Sequence, residues 1–174
     1  MTRILPWQVR GPLGYREAIA ELEDERARVL SDPDRVGHLL LTWHPPVITL
    51  GRHANRDNVL LGDGELAARG VQVEESTRGG DVTYHGPGQL MIYPVVRLES
   101  VRRFVAELAA GVAEVAAALG VAGARWMDDP AGLWWKGRKL AACGLHVHRG
   151  VCVHGFALNL STPAEAWRDI VPCG

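Results

Sequence analysis

The stretch Arg78-Gly79-Gly80-Asp81-Val82-Thr83-Tyr84-His85-Gly86-Pro87-Gly88-Gln89 is the most unusual in the chain. Four glycines and a proline fall within the eleven residues from Arg78 to Gly88, just ahead of an apolar run that reads as a strand over Gln89 to Leu98. Glycine admits positive φ and lets backbone N–H groups approach a ligand closely. Between the glycines stand side chains able to hydrogen-bond or carry charge: Arg78, Asp81, Thr83, Tyr84 and His85. The stretch has no Gly-Lys-Ser/Thr of a Walker loop and no dinucleotide-binding glycine spacing. It reads as an elaborate turn between strands or as a ligand-handling loop, and the density of polar side chains favours the second.

Upstream of this stretch, Val71 to Glu75, Val47 to Leu50 and Val36 to Trp43 read as strands, the last two joined at His44-Pro45-Pro46. Residues 14–30 have helical periodicity, with Tyr15, Ala18, Ile19, Leu22 and Val29 near one face, and Ser31-Asp32-Pro33 stops them. Downstream, 100–119 is the clearest helix: Ser100 can cap it, apolar residues from Val101 to Leu119 recur at helical spacing, and Gly120 ends it. Strands follow around Leu133-Trp134-Trp135, over Lys139 to His148 and over Val151 to Leu160, with Lys136-Gly137-Arg138 and Arg149-Gly150 as tight turns. Helices interspersed with hairpin-linked strands predict one α/β (α+β) domain over 1–174, built on a central, mixed, largely antiparallel sheet.

A chain of 174 residues, 47% hydrophobic and 22% charged, can bury a substantial core. The net charge of −1 gives no field that would draw nucleic acid or an anionic membrane. No run of about 18 apolar residues spans a bilayer, and the start of the chain carries no signal-peptide pattern, so a cytoplasmic protein is expected.

The basic residues are unevenly chosen: 17 are Arg and two are Lys, Lys136 and Lys139. Where Arg serves nearly everywhere, a lysine marks a position that needs a releasable proton, unless both are simply surface lysines. Three cysteines, Cys143, Cys152 and Cys173, are too few and odd in number for a disulfide framework. Cys143, His146, His148, Cys152 and His154 alternate on two adjacent strands. They lack the short Cys-x-x-Cys loops of structural zinc sites and read as ordinary strand residues rather than a metal site.

The run Arg78 to Gln89, continued by Leu90-Met91-Ile92-Tyr93-Pro94, closely resembles the signature of the octanoyl-carrier-protein:protein octanoyltransferases, also called lipoate-protein ligase B. Three further segments agree in order. Gly137-Arg138-Lys139-Leu140-Ala141-Ala142-Cys143-Gly144 resembles the family's lysine strand, His154-Gly155-Phe156-Ala157-Leu158-Asn159 its His-Gly-Phe-Ala-Leu-Asn element, and Val171-Pro172-Cys173-Gly174 its Pro-Cys-Gly motif.

The resemblance implies the fold of the biotin and lipoate protein ligases. It implies transfer of an octanoyl group from the phosphopantetheine thiol of octanoyl-acyl carrier protein to a lysine of a lipoyl domain. The acceptors would be the lipoyl domains of 2-oxoacid dehydrogenase E2 subunits and the glycine cleavage H protein, and no cofactor is called for. Cys173 becomes the thioester nucleophile and Lys139 its acid/base partner. The substrate site would be lined by Arg78, Gly79, Gly80, Asp81, Val82, Thr83, Tyr84 and His85, by Ala142, Cys143 and Gly144, and by Gly155, Phe156 and Ala157. Backbone near Cys143-Gly144 would supply oxyanion donors, and the neighbourhoods of Tyr93, Ala142, Leu145 and Phe156 an apolar acyl slot.

The residue chemistry agrees. Only a thiolate attacks, and a free cysteine near pKa 8.5 is a few per cent ionised at neutral pH. A neighbouring lysine can take the thiol proton and later the proton of the attacking amine; arginine cannot. Two rival readings are an ATP-dependent lipoate ligase, which does not need Cys173, and a non-catalytic lipoyl- or carrier-binding module, against which the pair Lys139 and Cys173 argues. Family members are expected to continue some tens of residues beyond the position of Gly174.

Overall fold

The structure is a computed structural model describing residues 4–172, and both anticipated turns are hairpin turns in it. Lys136 and Gly137 have φ of 48° and 76°, and Arg149 and Gly150 have φ of 49° and 78°. Two successive residues at positive φ give a turn whose twist matches that of the flanking strands. Three strands are thereby laid side by side: β8 (Ala131–Trp135), β9 (Arg138–His148) and β10 (Val151–Asn159).

The remaining elements are β1 (Trp7–Val9), α1 (Tyr15–Ser31), β2 (His38–Thr42), β3 (Val47–Leu50), α2 (Asp63–Ala68), β4 (Gln72–Glu75), β5 (Val82–His85), β6 (Gln89–Val95), α3 (Val101–Ala118) and β7 (Arg125–Asp128). Short 3-10 turns lie at Arg56–Asn58 and Ala164–Trp167. The main sheet has the order β1-β2-β6-β10-β9-β8-β7 and is antiparallel except for the parallel pair β1–β2. A smaller sheet, β4-β3-β5, pairs β3 parallel to β4 and antiparallel to β5. This is the expected α/β class, with a central mixed, largely antiparallel sheet and flanking helices.

Strand alternation decides what each face meets. Ile92, Leu133, Ala141, Phe156 and Leu158 form one core with Ala109 and Val112 of α3. Met91, Tyr93, Val153 and Ala157 face the other way and pack with Ala18, Leu22 and Val29 of α1. The burial of Ala18, Leu22 and Val29 matches the helical spacing read from the sequence. Glu25 interrupts this face and is buried as well, its carboxylate gripped by Arg35 Nε and Nη2, both at 2.7 Å. A third core, Ile48, Val82 and Tyr84 with Val59, Leu66 and Ile170, backs the small sheet.

The glycine-rich stretch is not all loop. Its four central residues form β5, because Val-Thr-Tyr-His has strand-forming side chains and pairs with β3. The strand from Gln89 ends at Val95 rather than Leu98. The short edge strands β1 and β7 had no sequence signature: Trp7 and Val9 are exposed, so no buried alternation betrays β1.

Candidate active site

The glycine-rich loop lies directly on β9. Gly79 N–H donates to Leu145 O at 3.1 Å, and a Cβ at Gly144 would stand 2.9 Å from Gly79 O, so glycine at 144 permits the two backbones to touch. Arg78, buried, pins the loop from beneath. It donates to Thr49 O at 2.6 Å, Thr49 Oγ1 at 2.9 Å, Asp81 O at 2.7 Å and Gly79 O at 3.0 Å. The Asp81 carboxylate turns outward, accepting from Asn55 N–H at 2.9 Å and Asn58 Nδ2 at 2.5 Å.

Between this loop and the main sheet is a cavity of about 70 Å³, lined by Arg78 to Thr83, His85, Met91, Tyr93, Lys139, Ala142, Gly144, His154, Gly155 and Ala157 among others. A larger groove of about 450 Å³ adjoins it, lined by Gln89, Pro130, Trp134, Asn159, Trp167 and Pro172. Thr83, Lys139 and Ala142 line both spaces. Lys139 is half-buried and its Nζ lies 5.2 Å from the centroid of Trp134. Lys136, by contrast, is exposed in the β8–β9 turn.

The buried histidines are held neutral. His85 Nδ1 meets Gln89 Oε1 at 2.7 Å, while Gln89 Nε2 donates to Asn159 Oδ1 at 2.9 Å. The Gln89 oxygen therefore accepts from His85, whose Nε2 lone pair faces the Thr49 hydroxyl at 3.3 Å. Asn159 Nδ2 continues the chain to Lys139 O at 3.5 Å. Burial, helped by the Arg78 charge, lowers the His85 pKa to about 3. His44 Nδ1–H donates to Leu13 O at 2.7 Å, so its Nε2 accepts from the Tyr93 hydroxyl at 2.8 Å. Burial lowers the His44 pKa and raises that of Tyr93 well above its ordinary value.

Residues 16–174 match the family model described as the lipoyl protein ligase A/B catalytic domain. The chain belongs to this family. It is 42% identical to the octanoyltransferase of Myxococcus xanthus over 92% of this chain and 49% of that protein. It is 40% identical to the octanoyltransferase of Solibacter usitatus over 94% of this chain and 76% of that protein. The chain thus spans about half the length of the first relative and three quarters of the second. The structure of protein Ta0514 from T. acidophilum with bound lipoic acid superposes with a TM-score of 0.75 at 15% identity, covering 95% of this chain and 72% of that one. At that identity the likeness speaks for the fold.

Within this lipoyl-ligase-type domain the anticipated site residues are distributed unevenly. Arg78 to Thr83, His85, Lys139, Ala142, Cys143, Gly144, Gly155 and Ala157 line the cavity. Tyr84 does not: it alternates with His85 and Thr83 on β5 and packs behind the small sheet, 6.0 Å from Trp167. Phe156 also faces away, fully buried in the α3 core against Trp126 at 5.7 Å. The Cys143 side chain packs on that same α3 side. Any part it has in the site is therefore through its main chain. Burial pushes its thiol up to about 12. Cys173 lies outside the described residues. The segment leading to it is anchored by buried Ile170, bridged to Val59, and by Val171 N–H donating to Asn58 O at 2.7 Å.

Sequence reading did not single out Tyr15, Met91, Thr49 or Gly132 for the site. A Cβ on Gly132 would stand 3.1 Å from Lys139 Cε and 2.9 Å from Ala141 O, so this glycine leaves the room in which Lys139 lies. Its φ of 155° is visible only in the folded chain, so the sequence carried no signal for it beyond the glycine itself. Among the described residues, no three His, Cys, Asp or Glu side chains cluster as metal ligands, and no helix is long and apolar enough to cross a membrane.

Proposed function

We propose that this chain transfers an octanoyl group from acyl carrier protein to a lysine of a lipoyl domain, through a thioester on Cys173 with Lys139 as the proton shuttle. The observation that carries this reading is the double position of Lys139. It borders both the inner cavity and the outer groove, and Pro172, which Cys173 follows in sequence, lines that same groove. A thioester carbonyl at this junction has an apolar recess on one side and open access for donor and acceptor on the other.

In the first half-reaction Lys139 takes the Cys173 thiol proton. The thiolate attacks the carrier thioester, and the carrier thiolate leaves with the proton returned by Lys139. In the second, the acceptor lysine amine attacks the Cys173 thioester, Lys139 takes the amine proton, and the Cys173 thiolate is released. Thioester exchange is nearly thermoneutral, so no ATP is required. His85 and His154 do not serve as the base, since both are buried with pKa values lowered to about 3. The acceptors are the lipoyl domains of 2-oxoacid dehydrogenase E2 subunits and the glycine cleavage H protein, and the setting is the cytoplasm.

Incubation with octanoyl-carrier protein followed by intact mass measurement should show one octanoyl adduct, and Cys173→Ser should abolish both adduct and transfer. ATP-dependent charging of free octanoate, with no adduct from the carrier, would replace this reading with a ligase.

A further inference from the structure

The ladder between β6 and β10 is paired from Gln89–Asn159 to Ile92–Phe156 and then breaks. Pro94 has no N–H to offer there, and a Cβ on Gly155 would stand 2.0 Å from Ile92 O. At this break His154 has φ of 62°, inside a central strand. By alternation with Phe156 it should face α3. The left-handed residue instead turns its imidazole to the α1 side, where Nε2 lies 2.9 Å from Thr77 Oγ1. Beside it the Tyr15 hydroxyl lies 2.5 Å from Ser76 Oγ.

These two contacts, from consecutive residues just before Arg78, stand between two spaces. On one side is the inner cavity; on the other is a second pocket of about 280 Å³ bordered by Ile19, Glu23 and Glu75. Tyr15 and His154 line both. A non-glycine residue at positive φ is held there by its surroundings and points to a role at a site.

The geometry points to His154 and Tyr15, latched by Thr77 and Ser76, as the end wall of the acyl cavity and the residues that set its chain-length limit. This rests on the proposed octanoyl transfer. The acyl carbonyl is fixed at Lys139, so added methylenes can only be taken at the far end. The cavity is small, about 70 Å³, so a tail running inward from Lys139 meets the wall that Tyr15 and His154 form. Beyond the wall the 280 Å³ pocket would house a longer chain. His154 suits an acyl-facing wall because burial and the Arg78 charge keep it neutral.

His154→Gly relieves the positive φ and removes the imidazole; His154→Asn, which tolerates this backbone, shortens it. The readouts are the kcat/KM ratio for dodecanoyl- against octanoyl-carrier protein and, separately, equilibrium binding of free dodecanoate against octanoate. Both ratios should rise at least about tenfold in the variants, since a single methylene is worth that much in an apolar pocket. Adding Ile19→Phe to His154→Gly should fill the outer pocket and restore the preference for eight carbons. Ratios unchanged while both chain lengths weaken together would overturn the wall. Wild-type protein that transfers no octanoyl, with binding ratios shifted as expected in the variants, would overturn the activity and leave the wall standing.

Discussion

Gly132→Ala should disable transfer by displacing Lys139, and its cost in stability can be separated from its cost in rate. Gly132 is buried with φ of 155°, a conformation that β-carbon-bearing residues resist by about 1–3 kcal/mol. The new methyl would also meet Ala141 O at 2.9 Å and Lys139 Cε and Cδ at 3.1 and 3.2 Å. The flexible lysine stem yields more readily than the β9 backbone, so Nζ shifts away from the junction of cavity and groove. A displacement of about 1 Å at a reacting group typically costs about a hundredfold. Gly137→Ala is the control. Its φ of 76° imposes a strain of about 1–2 kcal/mol, yet nothing lies within 4 Å of its Cβ. Urea unfolding and single-turnover transfer from octanoyl-carrier protein to a lipoyl domain would be measured on both. The expected result is a stability loss in both, larger in Gly132→Ala because its methyl meets Ala141 O, with a rate loss of about a hundredfold in Gly132→Ala alone. A Gly132→Ala protein that loses stability but transfers within about twofold of wild type would refute the claim that this glycine makes room for the shuttle.

Lys139→Arg should keep the unfolding midpoint and lower transfer about 10²–10⁴-fold, because the charge stays while the proton acceptance is lost; unimpaired turnover would sink the shuttle. His85 and His154, both lowered to about 3, make stability depend on acid: their neutral forms are favoured by folding, so the contribution is intact above the ordinary histidine value near 6.5 and is lost as pH falls below it. At pH 5 each costs about 2 kcal/mol, read as a drop in urea midpoint between pH 7 and 5 that His85→Gln should reduce. Asn58→Asp should slow transfer at least tenfold with little loss of octanoate binding, since it sets two carboxylates together at Asp81 and loosens the strap that Asn58 O forms with Val171.

The parts of the fold that could be read from sequence are those where local chemistry and tertiary packing agree. The α3 periodicity, the Ser100 cap and the two glycine-containing hairpin turns each fix their own neighbourhood, and Ser100 Oγ does accept from Arg103 N–H. Lys139 was legible because arginine is used almost everywhere else. The family resemblance places Tyr84 and Phe156 in the site as parts of whole segments, yet a strand sends successive side chains to opposite faces, and theirs meet the third core and the α3 core. Tyr15 comes from a segment remote in sequence and reaches the cavity only in the folded chain, as Thr49 reaches Arg78 and His44 reaches Tyr93. His154 is quoted in the motif, but its reversed direction depends on a broken ladder opposite Pro94, which no single-residue preference encodes.

The electrostatics of the two spaces divide the labour of the site. Around the inner cavity, burial raises Tyr15, Tyr93 and Cys143 and lowers His85 and His154, so each is held in its neutral form at neutral pH. The charge that remains inside, Arg78, donates to the carbonyls of Thr49, Gly79 and Asp81 and to the Thr49 hydroxyl, and the Asp81 carboxylate is turned out to Asn55 and Asn58. A chamber so arranged keeps its ions engaged or at its edge, with Lys139 at the border shared with the groove. In the proposed mechanism proton transfer takes place at the mouth, where Lys139 stands half-buried against Trp134 and borders the groove. A base deeper in the cavity would have to carry its charge into the apolar recess during turnover. Placing the shuttle at the boundary lets it take up a proton in each half-reaction without disturbing the acyl chain's surroundings.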